Sequence, residues 1–257
     1  MILGLFLCSV FLIHNFHHLN SIVNSLLCFS LKPASENMMN IVLTLLLLLF
    51  STDSFAADQA AHVTTITGQA WAQKIDEPRR PLKQGDVVYE TETVTTGIRA
   101  SLKLLFSDGS KFDLGEETTL EISQYQFQSS VHSDSFSTRI IKGTFRFVTG
   151  LIANENPQSM DVHLPVATMG IRGTHVVGEA TATTAKVILL KPEKAGPSAV
   201  EVFNQYGSVT IDKAGYGTEV PDEFSPPSPV RRMQMRTIDN LIRSIQNTQR
   251  IRIPRPR

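Results

Sequence analysis

The feature that most constrains this chain is a succession of short stretches in which apolar and polar residues alternate. They run from His62 to about Ile211 and are separated by glycine, aspartate and asparagine. Alternation with a period of two places apolar side chains on one face of a β-strand, and none of these stretches has helical spacing. Residues 107–110 (Ser-Asp-Gly-Ser), between two of them, are typical of a hairpin turn. We therefore predict an all-β domain of short strands over residues 58–217.

Proline marks the end of this pattern. Four prolines predict an extended linker over residues 218–232, because proline cannot donate a backbone hydrogen bond to a strand ladder. Beyond the linker, apolar residues follow helical spacing and predict an amphipathic helix over residues 233–248, within a basic segment that runs over 233–257. The apolar positions of this helix are Met233, Ile238, Leu241, Ile242 and Ile245.

A signal peptide is predicted before the β pattern. The apolar run of residues 41–50 is followed by Ser-Phe-Ala at 54–56, with small residues at the two positions that a signal peptidase reads. The run is too short to cross a bilayer, which needs about twenty apolar residues. We predict a signal peptide over residues 38–57, cleaved near Ala56, and hence a periplasmic or secreted protein.

Residues 1–37 form a separate upstream leader with an apolar run of its own. A translation start placed too far upstream explains this leader, because Met38 and Met39 stand directly before the signal peptide. The competing interpretation is that the leader is real and that its run spans or anchors in a membrane. That interpretation needs a longer run than the leader contains.

Reactive groups are few in the mature chain. Both cysteines, Cys8 and Cys28, lie in the leader, which excludes a disulfide framework, a thiol nucleophile and a cysteine-bound zinc after export. There is no Gly-x-Ser-x-Gly elbow, and the histidines show neither His-x-x-x-His nor His-Glu pairing. We therefore predict that the chain is not an enzyme, with no catalytic residue, metal or cofactor. The mature histidines are His62, His132, His163 and His175.

Acidic residues cluster around the predicted hairpin without forming a calcium loop. The cluster lacks the spaced aspartates and the closing glutamate that a calcium loop supplies. We predict that these side chains belong to a solvated turn. They are Asp108, Asp113, Glu116 and Glu117.

The chain is neutral as a whole but divides into an acidic body and a basic end. From Val230 onwards eight arginines face one acid, Asp239, for a net charge of +7, and residues 1–56 carry −1, so residues 57–229 carry −6. We predict that the basic end contacts an anionic membrane, a cell-wall polymer or a partner protein. Nucleic acid is excluded because of export and because the tail has no aromatic residue on which bases could stack. The alternative is that the helix packs on the β body and its arginines neutralise the acidic surface. The candidate contacts are Arg231, Arg232, Arg236 and Arg243.

A series of motifs follows in a fixed order between Val63 and Gly217. Its residues are Gly68, Pro81-Leu82, Gly85-Asp86, Val94-Thr95-Thr96-Gly97, Ala100, residues 104–110, Leu114-Gly115, Leu120, Gly143, Pro165-Val166-Ala167 and residues 171–174. This order resembles the FecR domain, the periplasmic part of iron-dicitrate-type transmembrane sensors. The resemblance implies a twisted, solenoid-like stack of short antiparallel strands, no catalytic residues, and a role in sensing or protein interaction.

The chain differs from such sensors in what precedes the β region. A sensor of this kind has a cytoplasmic anti-sigma domain and a membrane helix there, whereas only a short leader stands before the β region here. We therefore expect a free periplasmic FecR-domain protein rather than a direct regulator of a sigma factor.

The segment Gly170-Ile171-Arg172-Gly173-Thr174 is the one candidate site within the β domain. A guanidinium between two glycines, beside exposed backbone N–H groups, suits a carboxylate or phosphate. The alternative is a tight corner at which Arg172 pairs with an acid of the body. We take Arg172, Gly173 and Thr174 as candidate binding residues.

Two hypotheses for function follow. In the first, the chain is a non-catalytic periplasmic module that binds an envelope or outer-membrane protein, or a ligand, through exposed strand edges and the Arg172 corner. In the second, it is a structural envelope protein whose basic end holds it to an anionic surface.

Overall fold

Every alternating stretch of the β region forms a strand. A computed structural model describes residues 59–127, 134–155, 159–192 and 198–246. The signal peptide, the leader and the end of the arginine-rich tail lie outside the described residues. In chain order the strands and helices are β1 (Gln59–Thr67), β2 (Ala70–Gln73), β3 (Arg80–Pro81), β4 (Val87–Tyr89), β5 (Thr93–Thr96), β6 (Ser101–Phe106), β7 (Lys111–Leu114), β8 (Thr119–Gln126), β9 (Ser135–Val148), α1 (Leu151–Glu155), β10 (Met160–His163), β11 (Thr168–Arg172), β12 (His175–Ala180), β13 (Ala185–Leu189), β14 (Ala199–Asn204), β15 (Gly207–Ile211), β16 (Tyr216–Val220), β17 (Arg231–Arg232) and α2 (Met235–Gln246).

The strands form two ladders that share β9. Ladder A has the order β4-β1-β6-β7-β9-β12-β13-β16-β17. Ladder B has the order β3-β2-β5-β8-β9-β10-β11-β14-β15. The chain visits the two ladders alternately, one or two strands at a time, so that both grow from one end to the other. This confirms the all-β, solenoid-like stack that the family resemblance implies, although β10 pairs with β9 in parallel.

Strand β9 is a single strand of 14 residues. The sequence pattern predicts two strands here, one on each side of Lys142-Gly143. The first part of β9 pairs with β8 and β10 in ladder B, and the second part pairs with β7 and β12 in ladder A. Gly143 lies at the crossing with φ +109, a conformation open to glycine and strained for other residues. A Cβ there would collide with Thr118, so the chain can cross between ladders at this point only without a side chain.

The core lies between the two ladders. Rings from ladder A meet rings from ladder B: Phe106 lies 4.5 Å from Phe136 and 5.3 Å from Tyr125, measured between ring centroids. The alternating residues of β6 place Leu102, Leu104 and Phe106 in this core. Burial of these apolar surfaces is the main force that holds the ladders face to face.

The hairpin between β6 and β7 is buried at its tip, which corrects the predicted solvated turn at Asp108. Asp108 is 2% exposed, and its carboxylate accepts hydrogen bonds from the backbone N–H (3.0 Å) and hydroxyl (2.7 Å) of Ser110. The N–H of Asp108 donates to the Tyr125 hydroxyl (2.8 Å), and the N–H of Gly150 donates to the Ser110 hydroxyl (2.9 Å). Burial raises the pKa of the Tyr125 phenol well above its usual range, and the nearby Asp108 carboxylate adds to the rise. The turn therefore fastens β8 and the start of α1 to the core.

Helix α2 lies on the outer face of ladder A. Its buried residues Ile238, Leu241 and Ile245 pack with Val177 of β12 and Ile188 of β13. The helix begins and ends within the predicted span, and its apolar stripe is the predicted one.

The sheet continues beyond Gly217, the predicted end of the β domain. Strand β16 crosses that position and pairs with β13, because the prolines begin only at Pro221. The proline-rich residues are then bound along the β region: Ser228 donates its N–H to Glu219 (2.9 Å), and the Thr218 hydroxyl donates to Ser228 (2.6 Å). Residues 218–246 thus complete the same compact unit.

Candidate binding surface

The outer face of ladder B is the candidate binding surface of the described residues. Among the described residues, neither helix packs its buried side chains on this face. Ile152 and Ala153 of α1 belong to the core between the ladders, and the buried residues of α2 lie on ladder A. We call the part formed by β10, β11, β14 and β15 the open face.

Polar and charged side chains cover the open face and its continuation onto β8 and β9. The His163 ring lies 2.6 Å from the Asp161 carboxylate and 3.1 Å from the Thr168 hydroxyl. On β8 and β9, Arg139 and Glu121 form an exposed ion pair at 3.9 Å. Exposed pairs of this kind contribute little to stability, about 0 to 1 kcal/mol, so this side of ladder B is not built mainly for stability.

One aromatic ring interrupts this polar surface. Phe203 of β14 is 40% exposed and stands between Thr168 of β11 and Ser208 of β15 in the strand register. Glu201, two residues earlier on the same strand, is also exposed. Aromatic side chains are enriched at protein interfaces, so an exposed ring on a polar face is a candidate contact for a partner protein.

Arg172 ends β11 at the rim of the open face. It is exposed, and it takes part in none of the ion pairs found among the described residues. The corner after it is tight, because Gly173 has φ +55 and the chain then crosses to β12 of ladder A. The predicted corner is present, and no carboxylate of the described body neutralises its guanidinium.

The backbone next to Arg172 is occupied by the fold itself. The N–H of Thr174 donates to the Thr149 hydroxyl (2.9 Å), and the N–H of Thr149 donates to the Thr174 carbonyl (3.1 Å). Thr174 is buried. A ligand at this corner would therefore meet the guanidinium but not the N–H of Thr174.

The four tail arginines lie away from this corner, on the side of ladder A. Arg231 donates to Glu219 at 2.7 Å, and Lys186 approaches the same carboxylate at 3.3 Å. Arg232, Arg236 and Arg243 are exposed on β17 and α2. The structure thus separates the candidate residues into two surfaces.

An open groove of about 750 Å³ runs beside α2. Its lining is mostly polar and carries charges of both signs. The charged residues along it are Glu116, Glu117, Glu179, Lys142 and Lys186.

The described residues contain no group of three histidine, cysteine, aspartate or glutamate side chains arranged to hold a metal ion. His163 and His175 bind neighbouring side chains, and the ring of His175 accepts a hydrogen bond from Arg146 at 2.7 Å. His132 lies outside the described residues.

No helix within the described ranges is long and apolar enough to span a membrane.

Two solved structures show partial similarity to the chain. One is described as a cell surface anchoring domain, with 31% identity over 25% of this chain and 84% of that chain, at a TM-score of 0.24. The other is a crystal structure from Parabacteroides distasonis ATCC 8503, described as an anti-sigma factor, with 12% identity over 59% of this chain and 64% of that chain, at a TM-score of 0.46. Both TM-scores are low, so neither likeness supports a conclusion about the fold or role of this chain. No curated protein sequence matches the chain.

The sequence of the described strands matches one family model. Residues 92–192 match the FecR protein family, a span that begins just before β5, ends just after β13 and has β9 near its middle. Both the buried Asp108 turn and the Arg172 corner fall inside this span. FecR proteins are modules of signalling and regulation. The match confirms the resemblance found in the sequence and identifies a FecR domain over residues 92–192.

Proposed function

We propose that this chain is a non-catalytic FecR-domain protein of the periplasm that binds an envelope protein through the open face of ladder B. The observation that carries the proposal is the contrast between two outer faces. Ladder A has an apolar patch under α2, whereas the open face carries Arg172, Glu201 and Phe203 with no described helix over them.

The chemistry of the open face favours a protein as the partner. Carbohydrate recognition would favour several exposed aromatic rings on one strand face. The strands β10, β11, β14 and β15 contain one aromatic residue, Phe203. An exposed ring can pack on an apolar side chain of a partner protein, and charges elsewhere on the same face can fix the orientation of that partner.

Export to the periplasm is supported by the apolar run at residues 41–50 and the small residues before Ala57. Cleavage after Ala56 would leave the β region whole, because β1 begins at Gln59. A mature chain without cysteine is also stable to the oxidising conditions of that compartment.

Site-specific photo-crosslinking in the intact envelope tests this proposal. A photoreactive amino acid at Phe203 is expected to yield a defined covalent adduct with one envelope protein. The matched position is Lys103 of β6, which is exposed on the outer face of ladder A. Equal adducts from both positions, or none from Phe203, would contradict the proposal.

A charge reversal tests whether Arg172 contributes to partner binding. Arg172→Glu is expected to weaken the Phe203 adduct while leaving thermal unfolding unchanged, because the guanidinium forms no ion pair with the described part of the chain. Lys103→Glu provides the control with the same charge change on the other face.

A second candidate function rests on the exposed arginines of β17 and α2. We propose that Arg232, Arg236 and Arg243 can hold the protein to an anionic lipid surface, with attraction of about 1 kcal/mol for each arginine near the membrane. Removal of everything after Pro229 is a poor test, because it would uncover Val177 and Ile188. Replacement of the three arginines by glutamine keeps the helix in place. Loss of sedimentation with vesicles of anionic lipid, but not of zwitterionic lipid, is the expected result, and unchanged sedimentation would contradict it.

A further inference from the structure

The two ladders have four edge strands, and three of them are protected against pairing with another strand. β3 has two residues and contains Pro81, β17 has two residues and both are arginines, and β4 has three residues. Short length, proline and charge are the usual means by which proteins block strand addition at an edge.

The fourth edge, β15, has none of these protections. It is Gly-Ser-Val-Thr-Ile over five residues, with no charge and no proline. Its register with β14 runs without a bulge, and within the described residues it pairs with β14 alone. β15 is thus the edge on which strand addition is least hindered.

The hydrogen-bonding groups of β15 that face outwards can be assigned from its turn. Asn204 and Gly207 close a two-residue turn, so they form a hydrogen-bonded pair, and such pairs alternate along an antiparallel ladder. The next hydrogen-bonded pair is Val202 with Val209. The N–H and C=O groups of Ser208 and Thr210 therefore point away from β14, and both side chains are exposed.

We propose that β15 pairs with β15 of a second copy of this chain, antiparallel about a two-fold axis at Val209. Ser208 of each copy then exchanges two backbone hydrogen bonds with Thr210 of the other, about four across the pair of strands. The strand complements itself, because hydroxyl residues meet on the outer face and no like charges oppose each other.

The axis also closes the open end of the core. Val209 is only partly buried and packs against the main core cluster. In the pair, the two Val209 side chains face each other at a non-hydrogen-bonded position, where side chains approach most closely. Each side chain covers the apolar surface that the other leaves exposed.

Exposed aromatic rings beside the edge enlarge the surface that the pair can bury. Tyr206 in the turn is 44% exposed, and Phe224 is 69% exposed. Asn204 holds the segment of Phe224 against the hairpin, because its amide donates to the Ser225 carbonyl at 2.8 Å. The pairing joins the two open faces into one continuous surface, whichever partner that surface binds.

Disulfide trapping of the full chain, as processed on export, tests the proposal. Val209→Cys is expected to give a covalent dimer on mild oxidation, since Cβ atoms at a non-hydrogen-bonded antiparallel pair lie close enough for a disulfide. Val87→Cys on the β4 edge is the matched control and is expected to stay monomeric. Equal dimer from both variants, or none from Val209→Cys, would overturn the proposal.

Charge exchange tests the same pairing without a covalent bond. Light scattering of the unmodified protein is expected to show twice the mass of the chain at high concentration, falling on dilution. Ser208→Lys with Thr210→Lys should give a monomer, and so should the two glutamate replacements, while a mixture of the two double variants should restore the dimer. Circular dichroism confirms that the variants are folded, since both positions are exposed. A monomer at all concentrations before mutation, or a lysine variant that still dimerises, would refute β15 pairing.

Discussion

The outer faces of the two ladders arise from the same alternation of residues along the strands, but α2 covers one of them and no described helix covers the other. On ladder A, β12 and β13 place Val177 and Ile188 outwards, and α2 covers them with Ile238, Leu241 and Ile245. On ladder B, β11 and β14 place Arg172, Glu201 and Phe203 outwards, and no described helix packs over them. The difference teaches that a covered face in this fold is marked by apolar residues at outward positions, whereas the face without a described helix carries mostly polar ones.

The largest expected effect comes from the strand on which both faces depend. Gly143→Ala should destabilise the protein by about 3 kcal/mol or more, because it adds a Cβ at a positive φ directly against Thr118. Urea unfolding measures the loss. Gly109→Ala, also at positive φ but with nothing within 4 Å, should cost only about 1 kcal/mol. Equal losses would show that the crossing between ladders is less crowded than the structure indicates.

A smaller loss is expected where α2 covers ladder A. Leu241→Ala should destabilise by about 2 kcal/mol, because it leaves a cavity over Val177 and Ile188. Hydrogen exchange should accelerate in α2 before it does in β9. The half-buried Ile242 is the control, and Ile242→Ala should have a weaker effect. Uniform exchange across the molecule would mean that α2 does not form a separate layer.

The core between the faces should respond to alkaline pH. The raised pKa of Tyr125 means that the folded protein keeps the phenol proton longer than the unfolded chain does. This contribution is complete below the ordinary tyrosine pKa of about 10 and is lost as pH rises above it. Tyr125→Phe should lower stability by about 1 kcal/mol near neutral pH, because the N–H of Asp108 loses its acceptor. Unfolding midpoints at about pH 9 and 11 should fall less in Tyr125→Phe than in the parent, and an equal fall would contradict the assignment.

The smallest effect on stability is expected on the open face. Phe203→Ala should change the free energy of unfolding by no more than about 0.5 kcal/mol, since the ring is 40% exposed on the outer face. The photo-crosslinked adduct from a reporter at Glu201, exposed on the same strand, should nevertheless be lost. A large destabilisation without loss of the adduct would make Phe203 a packing residue and would remove the contrast between the two faces.

Much of the fold could be predicted because the alternation is local. The alternation of residues 100–106 predicts which side chains of β6 point into the core. The helical spacing after residue 233 likewise predicts the buried stripe of α2. Local patterns failed at Gly143, which reads as a break between strands but is the crossing inside β9. They failed also at Asp108, whose burial depends on Tyr125 and Gly150, residues distant in sequence.

The candidate site was predictable in part for the same reason. Arg172 between glycines marks a corner from its neighbours alone, and the structure has that corner. Phe203 and Ser208 have no signal in the sequence that connects them with Arg172, because β11 and β14 are adjacent only through the sheet register. The edge of β15 is exposed because this strand comes last in ladder B, and the sequence does not reveal that strand order.

The sequence by itself determined the all-β class, the inward side of each strand and the amphipathic helix, because these follow from the periodicity of neighbouring residues. Only the tertiary structure decided which outer face α2 covers, that Arg172 forms no ion pair with the described residues, and which strand edge is least protected. Those properties depend on contacts between residues far apart in the chain, and such contacts are set by the packing of the ladders around β9.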